Sequence, residues 1–325
     1  MAHLVSVEGD KLAGSYVTPT TVTFGAYVER WLTLQVQQSE GTRDQAERRL
    51  RLGPVAAFGD VPIRLVTRAM VQDLVVAETE RTSPATARLT FTYTRAVFNA
   101  AVRDRLIAVS PCTRINLPRV VVSEWIPSVG DVQTLVGRLE DSRWRPWGRF
   151  RAAVLVAAGS GLRPGELRSL TVDRVTPAGL VVDRQLTRGS AGRRVEWGPL
   201  KTSASVRTVP LAASTRAALE GHLEDYPRGP EGLVFAGGRG GVWTRQGAGE
   251  VWARVTEGLG FPDRSGWHAL RHHHASLLIA AGSSPRAVAD RLGHEDPAET
   301  LRTYSKLWPS DQALMLAAVE AAYGE

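Results

Sequence analysis

Lysine is nearly missing from this 325-residue chain: of 40 basic residues only Lys11, Lys201 and Lys306 are lysine, which leaves 37 arginines. Guanidinium keeps its proton and matches planar anions with paired donors, whereas an ammonium group gives up a proton when its surroundings favour it. In such a chain Lys201, set in a hairpin, is favoured as a proton donor over a mere phosphate contact. Cysteine is reduced to Cys112, which excludes an internal disulfide and fits a reducing cytoplasm. No run of 18 apolar residues and no secretory leader can be found, so the chain is expected neither to span a membrane nor to be secreted. What is present is a 43% hydrophobic composition, enough for two domains with a core each, and a net charge of +7 that suits a polyanionic partner.

The most informative stretch runs from His268 to Tyr304, HALRHHHASLLIAAGSSPRAVADRLGHEDPAETLRTY. Leu270, Ala275, Leu277, Leu278 and Ala281 recur at helical spacing and Gly282 follows, which predicts a helix from His268 to about Ala281 with His268 and Arg271 on one face. Ser284-Pro285 reads as a cap and first turn of a second helix that ends at Gly293, so His294 is displayed just beyond it. Asp296-Pro297 with Glu299 starts a third, which carries Tyr304 two turns in.

Two earlier pieces complement this set. Ala152 to Leu170, AAVLVAAGSGLRPGELRSL, is an apolar helix broken at Gly159-Ser160-Gly161, with Arg163 at the start of a new turn and Glu166 placed to orient it. Pro199 to Leu211, PLKTSASVRTVPL, reads as a hairpin with Lys201 at its turn. Paired guanidiniums fit the charge that spreads over a phosphodiester during displacement. A phenol is able to hold phosphorus covalently, and a lysine is able to protonate a leaving alkoxide.

With GLRPGEL, KTSASVR, HALRH, LGH and Tyr304 following in that order, the chain resembles the tyrosine recombinases of the phage integrase family, from about Thr21 to its C-terminus. The resemblance implies a site-specific DNA recombinase that cleaves and rejoins strands through a 3′-phosphotyrosyl link, integrating or excising a phage or mobile element. A dimer-resolving enzyme of the Xer type is the alternative within the family. It implies Tyr304 as nucleophile, Arg163 and Arg271 as phosphate clamp, Lys201 as donor to the 5′ oxygen, His268 in proton transfer at the tyrosine, His294 on the phosphate and Glu166 in support. No cofactor or metal is called for. The implied partners are double-stranded DNA carrying attachment or core sites, three further copies in a synaptic tetramer, and an excisionase or host DNA-bending factor. The implied location is the cytoplasm, at the nucleoid.

The fold class expected is mainly α with a small antiparallel sheet. Residues 1–20 form a tail or a partial arm-binding segment, and residues 21–108 a helical, SAM-like core DNA-binding domain. In that domain one helix buries Phe24, Tyr27, Val28, Trp31 and Leu32, a second covers TRDQAERRLRL, a third follows Thr67 and a fourth begins at Ser83-Pro84. Arg43, Arg48, Arg49, Arg51, Arg88 and Arg95 are its candidate phosphate contacts. Residues 109–127 are proline-punctuated and read as a linker, and residues 128–325 as the catalytic domain, capped at its start by Ser128 and Asp131. Strands are expected at Leu180–Val182, Arg194–Trp197 and Val206–Val209, and helices at Thr215–Leu223 and Gln246–Val255. After Tyr304, residues Leu314, Leu316, Ala317, Val319 and Ala321 form a short apolar helix that packs on its own domain or on a neighbouring copy.

Two other readings use the same residues. His268 and His272 are spaced like a zinc pair, with His294 as a third ligand, but Ala269 stands where a hydrolase of that kind needs its glutamate and the arginines are left without a role. A DNA-binding protein without catalysis predicts that part of the set is lost, and every member is present.

Overall fold

The computed structural model describes residues 21–121, 125–187, 192–200, 202–263, 265–308 and 312–323. The chain divides into two compact units, residues 1–122 and 123–325.

The first unit is helical. Helices α1 (Phe24–Thr33), α2 (Glu40–Leu50), α3 (Arg68–Arg81) and α4 (Pro84–Arg103) all start in one way. The hydroxyls of Thr23, Ser39, Thr67 and Ser83 accept the amides of Ala26, Thr42, Met70 and Thr86, satisfying N–H groups that the helix leaves free. After α2 the chain widens into a π-turn over Arg51–Val55, where Pro54 has no amide to offer to tighter pairing. Phe24 centres the core, 4.9 Å from Phe58 edge to face and 5.0 Å from Phe98. Beyond α4 the chain stays on this unit although it lacks a helical period. Ile107 and Cys112 are buried with that core, and Ile115 and Leu117 pack against it. The Asn116 amide donates to Gln72, the Gln72 side chain donates back to the Asn116 carbonyl, and Arg88 donates to the Pro118 carbonyl.

The second unit begins with α5 (Val129–Glu140), whose Ser128 and Asp131 cap each other. A 3₁₀ stretch, Ser142–Phe150, leads into α6 (Arg151–Ser160). This helix is apolar nearly all round, with Ala152, Ala153, Val154, Val156, Ala157 and Ala158 buried; α5, α7 (Pro164–Arg168), α8 (Ala213–Asp225) and α10 (His268–Ala280) pack on it, and α9 (Arg245–Thr256) packs on α5. Phe150, Trp243 and Trp267 stack through the core, with Trp243 at 4.9 Å from each of the other two.

The strands form two ribbons rather than one sheet. β1 (Val175–Thr176), β2 (Gly179–Val182) and β5 (Arg207–Val209) pair antiparallel, with Leu180 opposite Val209 and Val182 opposite Arg207. The strand expected at Arg194–Trp197 pairs through Trp197–Gly198 (β4) with β3 (Gln185–Leu186), apart from the other three. Trp197 is held there on both its apolar and polar sides. The Arg184 guanidinium lies 4.0 Å over its ring and its indole N–H donates to Glu231 at 2.7 Å. The chain continues through α11 (Pro285–Leu292), α12 (Pro297–Tyr304) and α13 (Gln312–Tyr323), whose Leu316, Val319 and Tyr323 are exposed.

Two glycines set the backbone for the site. Gly161 ends α6 at φ 68°, where a Cβ would stand 2.6 Å from His274 and 2.9 Å from Leu292. Gly293 ends α11 at φ 69°, where a Cβ would stand 2.9 Å from an Arg207 nitrogen. Both positions need the left-handed conformation and the missing side chain together.

Candidate active site

The break after α6 places Arg163 as the residue ahead of α7, and Glu166 turns back to it. The Arg163 amide donates to Glu166 Oε2 at 2.8 Å and its Nη1 to Oε1 at 2.9 Å. Its Nη1 also donates to the Ser205 hydroxyl and its Nη2 to the Gly293 carbonyl at 3.0 Å, which ties α7 to the end of α11. Glu166 is buried and holds a second arginine as well: Arg207 from β5 donates to both its oxygens, at 3.0 and 3.2 Å. Burial by itself would raise this carboxyl, but Arg207 and then Arg163 together keep it below the usual carboxylate range.

Arg271 is a third. Its side chain is buried at 1% exposure; Nη1 donates to the Gly161 carbonyl at 2.8 Å, while Nη2, also buried, has no hydrogen-bond partner among the described residues. Burial, and then repulsion from Arg163 and Arg207, pull its pKa down to about 9. Three guanidiniums thus gather around one buried carboxylate that bonds only Arg163 and Arg207, an excess of positive charge suited to an anion.

The run His272-His273-His274 on α10 is divided between different tasks. His273 Nδ1 donates to the Pro127 carbonyl at 2.8 Å. His274 Nδ1 donates to the Ala158 carbonyl at 2.9 Å and its Nε2 accepts from Arg291 at 3.2 Å, which fixes it as a neutral ring of one tautomer. Burial and the Arg291 charge take its pKa down to about 4. His272 instead points at the phenol. Its Nδ1 lies 2.7 Å from the Tyr304 hydroxyl and its ring stands edge to face with that of His268, at 4.7 Å.

Tyr304 is buried at 2% exposure, and burial raises its phenol to about 12 against the opposing pull of Arg271. His268 keeps an exposed edge; loss of water on its inner side and then the nearby charges of His272, Arg271, Arg163 and His294 move it down to about 4. His294 follows Gly293 directly. Its Nδ1 pairs with the Thr300 hydroxyl at 2.6 Å, its Nε2 is 3.8 Å from Glu299, and burial followed by Arg271 depresses it to about 4.

The structure therefore brings Arg163, Glu166, His268, Arg271, His294 and Tyr304 into one cluster across α7, α10, α11 and α12. Lys201 lies outside the described residues. Reading the sequence missed Arg207, which nothing distinguishes from any arginine on a strand, and His272, whose spacing pointed to zinc instead. Leu277, expected on the buried face of α10, is exposed, and Ile279 takes that place.

The arginines of the first unit are scattered by comparison. Arg51 pairs with Glu29 and Glu47, Arg88 is used by Pro118, and Arg49 is half-buried with an Nε that has no partner among the described residues. Arg43, Arg48 and Arg95 are exposed.

The sequence profile of the phage integrase family matches residues 141–310, the whole of this cluster included. The integrase of Mycobacterium phage D29 is 27% identical over 286 residues, covering 86% of this chain and 73% of the relative. The tyrosine recombinase XerC of Methylobacterium sp. (strain 4-46) is 33% identical over 177 residues, 54% of this chain and 50% of its own. Among solved structures, the Tn1549 transposon integrase in complex with a circular intermediate DNA has a similar fold, with a TM-score of 0.80 at 19% identity, over 93% of this chain and 99% of that one. With the profile spanning more than half of the residues, the chain belongs to the phage integrase family and is a tyrosine recombinase, an enzyme that cleaves and rejoins DNA.

Proposed function

We propose that Tyr304 is the nucleophile of a site-specific recombination reaction and that the guanidiniums of Arg163 and Arg271 receive the scissile phosphate. The Tyr304 oxygen forms its bond to phosphorus as the bond to the 5′ oxygen breaks, leaving a 3′-phosphotyrosyl link and a 5′-hydroxyl. Lys201 supplies the proton to that 5′ oxygen. His268 assists proton transfer at the tyrosine, and His294, with Nδ1 engaged by Thr300, offers Nε2 to the phosphate. Glu166 holds Arg163 in place and Arg207 completes the frame.

The observation that carries this reading is the buried, unpartnered Nη2 of Arg271. A buried donor without an acceptor costs roughly 1–3 kcal/mol, more when charged, and a phosphate oxygen removes that cost. Since the phenol is almost fully buried, α12 has to shift for Tyr304 to reach a phosphorus atom.

The reaction is proposed to take place on double-stranded DNA, with residues 21–108 on the core site and Arg43, Arg48 and Arg95 toward its phosphates. A tetramer is proposed to hold the synapsed duplexes, and the exposed Leu316, Val319 and Tyr323 of α13 are apolar surface suited to a neighbouring copy. Integration or excision of a mobile element, with an excisionase setting direction, is favoured over dimer resolution by the longer match to the phage integrase than to XerC.

The test is covalent trapping on a nicked suicide duplex carrying the attachment site, read from the junctions beside the encoding locus. Tyr304→Phe is expected to abolish the covalent complex and leave duplex binding unchanged. Trapping that survives the substitution overturns the assignment.

A further inference from the structure

We propose that His272 is the base that takes the phenolic proton of Tyr304 as its oxygen bonds to phosphorus. The proposal rests on the reading of Tyr304 as nucleophile. It is carried by geometry: of the described side chains with a recorded hydrogen bond to the Tyr304 hydroxyl, His272 is the one, at 2.7 Å through Nδ1. That distance is one of a proton donor already in reach of its acceptor, and the two rings meet edge to face with 5.5 Å between centroids.

The two histidines that follow it cannot serve. His273 and His274 spend their Nδ1 protons on the carbonyls of Pro127 and Ala158. His268 touches the ring of His272 edge-on, so it supports the acceptor while the acceptor touches the reacting oxygen. Arg271, next in the chain, faces the phosphate site. Burial and then the Arg271 charge lower the His272 pKa, so the ring is neutral near neutral pH and a tautomer protonated on Nε2 leaves the Nδ1 lone pair for the phenol.

The step balances without further reagents. The Tyr304 O–H bond breaks and its proton passes to His272 Nδ1, giving an imidazolium. The phosphorus–oxygen bond to tyrosine forms, the bond to the 5′ oxygen breaks, and that oxygen takes its proton from Lys201. In rejoining the 5′-hydroxyl attacks phosphorus and gives its proton back to the neutral Lys201 amine, the bond to the tyrosine oxygen breaks, and His272 returns its proton to the departing phenolate.

The experiment measures single-turnover cleavage of the nicked suicide duplex by the full chain. In His272→Asn the amide oxygen stands near the place of Nδ1 and keeps the bond to Tyr304 but takes no proton; His272→Ala removes both. General-base catalysis is worth roughly 10²–10⁴ in rate, so both variants are expected to cleave at least about 10²-fold more slowly with duplex binding unchanged. A fluorinated tyrosine at position 304, whose phenol ionises near neutral pH, is expected to restore most of the rate to His272→Asn. Wild-type speed in His272→Asn, or no gain from the fluorinated phenol, overturns the base assignment while leaving Tyr304 as nucleophile. A wild-type chain that forms no covalent complex overturns both.

Discussion

In the first unit the ion pairs of Arg51 with Glu29 and Glu47 lie on the surface, with all three side chains about half exposed, whereas in the second Arg207 and Glu166 meet with side-chain exposures of 9% and 4%. The first unit owes its shape to apolar packing about Phe24 and to four hydroxyl-capped helices. Among its described residues it has one buried carboxylate, Glu78, answered locally by Arg81 and Thr90. In the second unit a comparable apolar core supports three buried or half-buried guanidiniums and several histidines held neutral. Desolvated charge of that kind seldom adds to stability, and its persistence points to work done on an anion.

The contrast is open to measurement because the two units carry separate probes. Trp31 is the only one of nine tryptophans before residue 123, and Cys112, the sole cysteine, is buried in the first unit. Tryptophan fluorescence therefore reports mainly on the second unit and thiol protection on the first. The largest effect is expected from Glu166→Gln, which leaves Arg163, Arg207 and Arg271 without a counter-charge. A loss of about 3–5 kcal/mol in the fluorescence-detected urea transition is expected, with Cys112 protection unchanged. A loss below 1 kcal/mol would break the contrast.

Next in size is the response to acid. His274 and His294 have folded-state pKa values near 4, below the ordinary value of about 6.5. A depressed histidine pKa means that the unfolded chain binds the proton first. Their contribution is intact above about 6.5 and is lost progressively as pH falls toward 4. The described part of the first unit contains no histidine. Between pH 6.5 and 5 the fluorescence transition is expected to move to lower urea while labelling of Cys112 by an acid-tolerant disulfide reagent holds steady. A parallel decline of both would show that histidine burial is not its source. The smallest effect is expected from Arg51→Ala, whose exposed pairs are worth about 0.2–1 kcal/mol, read by thiol protection. A loss well above that would place structural charge in the first unit too.

Much of this architecture is legible in single residues. Ser83-Pro84, Ser284-Pro285 and Asp296-Pro297 announce their helices because capping is a local bond over three or four positions. Gly161 and Gly293 mark their breaks because only glycine is at ease with a positive φ there. Strand partners were less legible, since Trp197 opposite Leu186 is also held by Glu231, 34 positions along the chain, a contact that only the fold brings about.

The sequence by itself determined the order of the helices, their caps and breaks, and the presence of an arginine, histidine and tyrosine set at related spacings. Those are consequences of forces that act within a few residues. Only the tertiary structure decided which histidine of three meets the phenol, that Arg207 joins Glu166 across 41 positions, and that one nitrogen of Arg271 is buried with no acceptor among the described residues. Contacts of that kind arise when elements distant in the chain pack together, and their electrostatic character is set by the water they exclude.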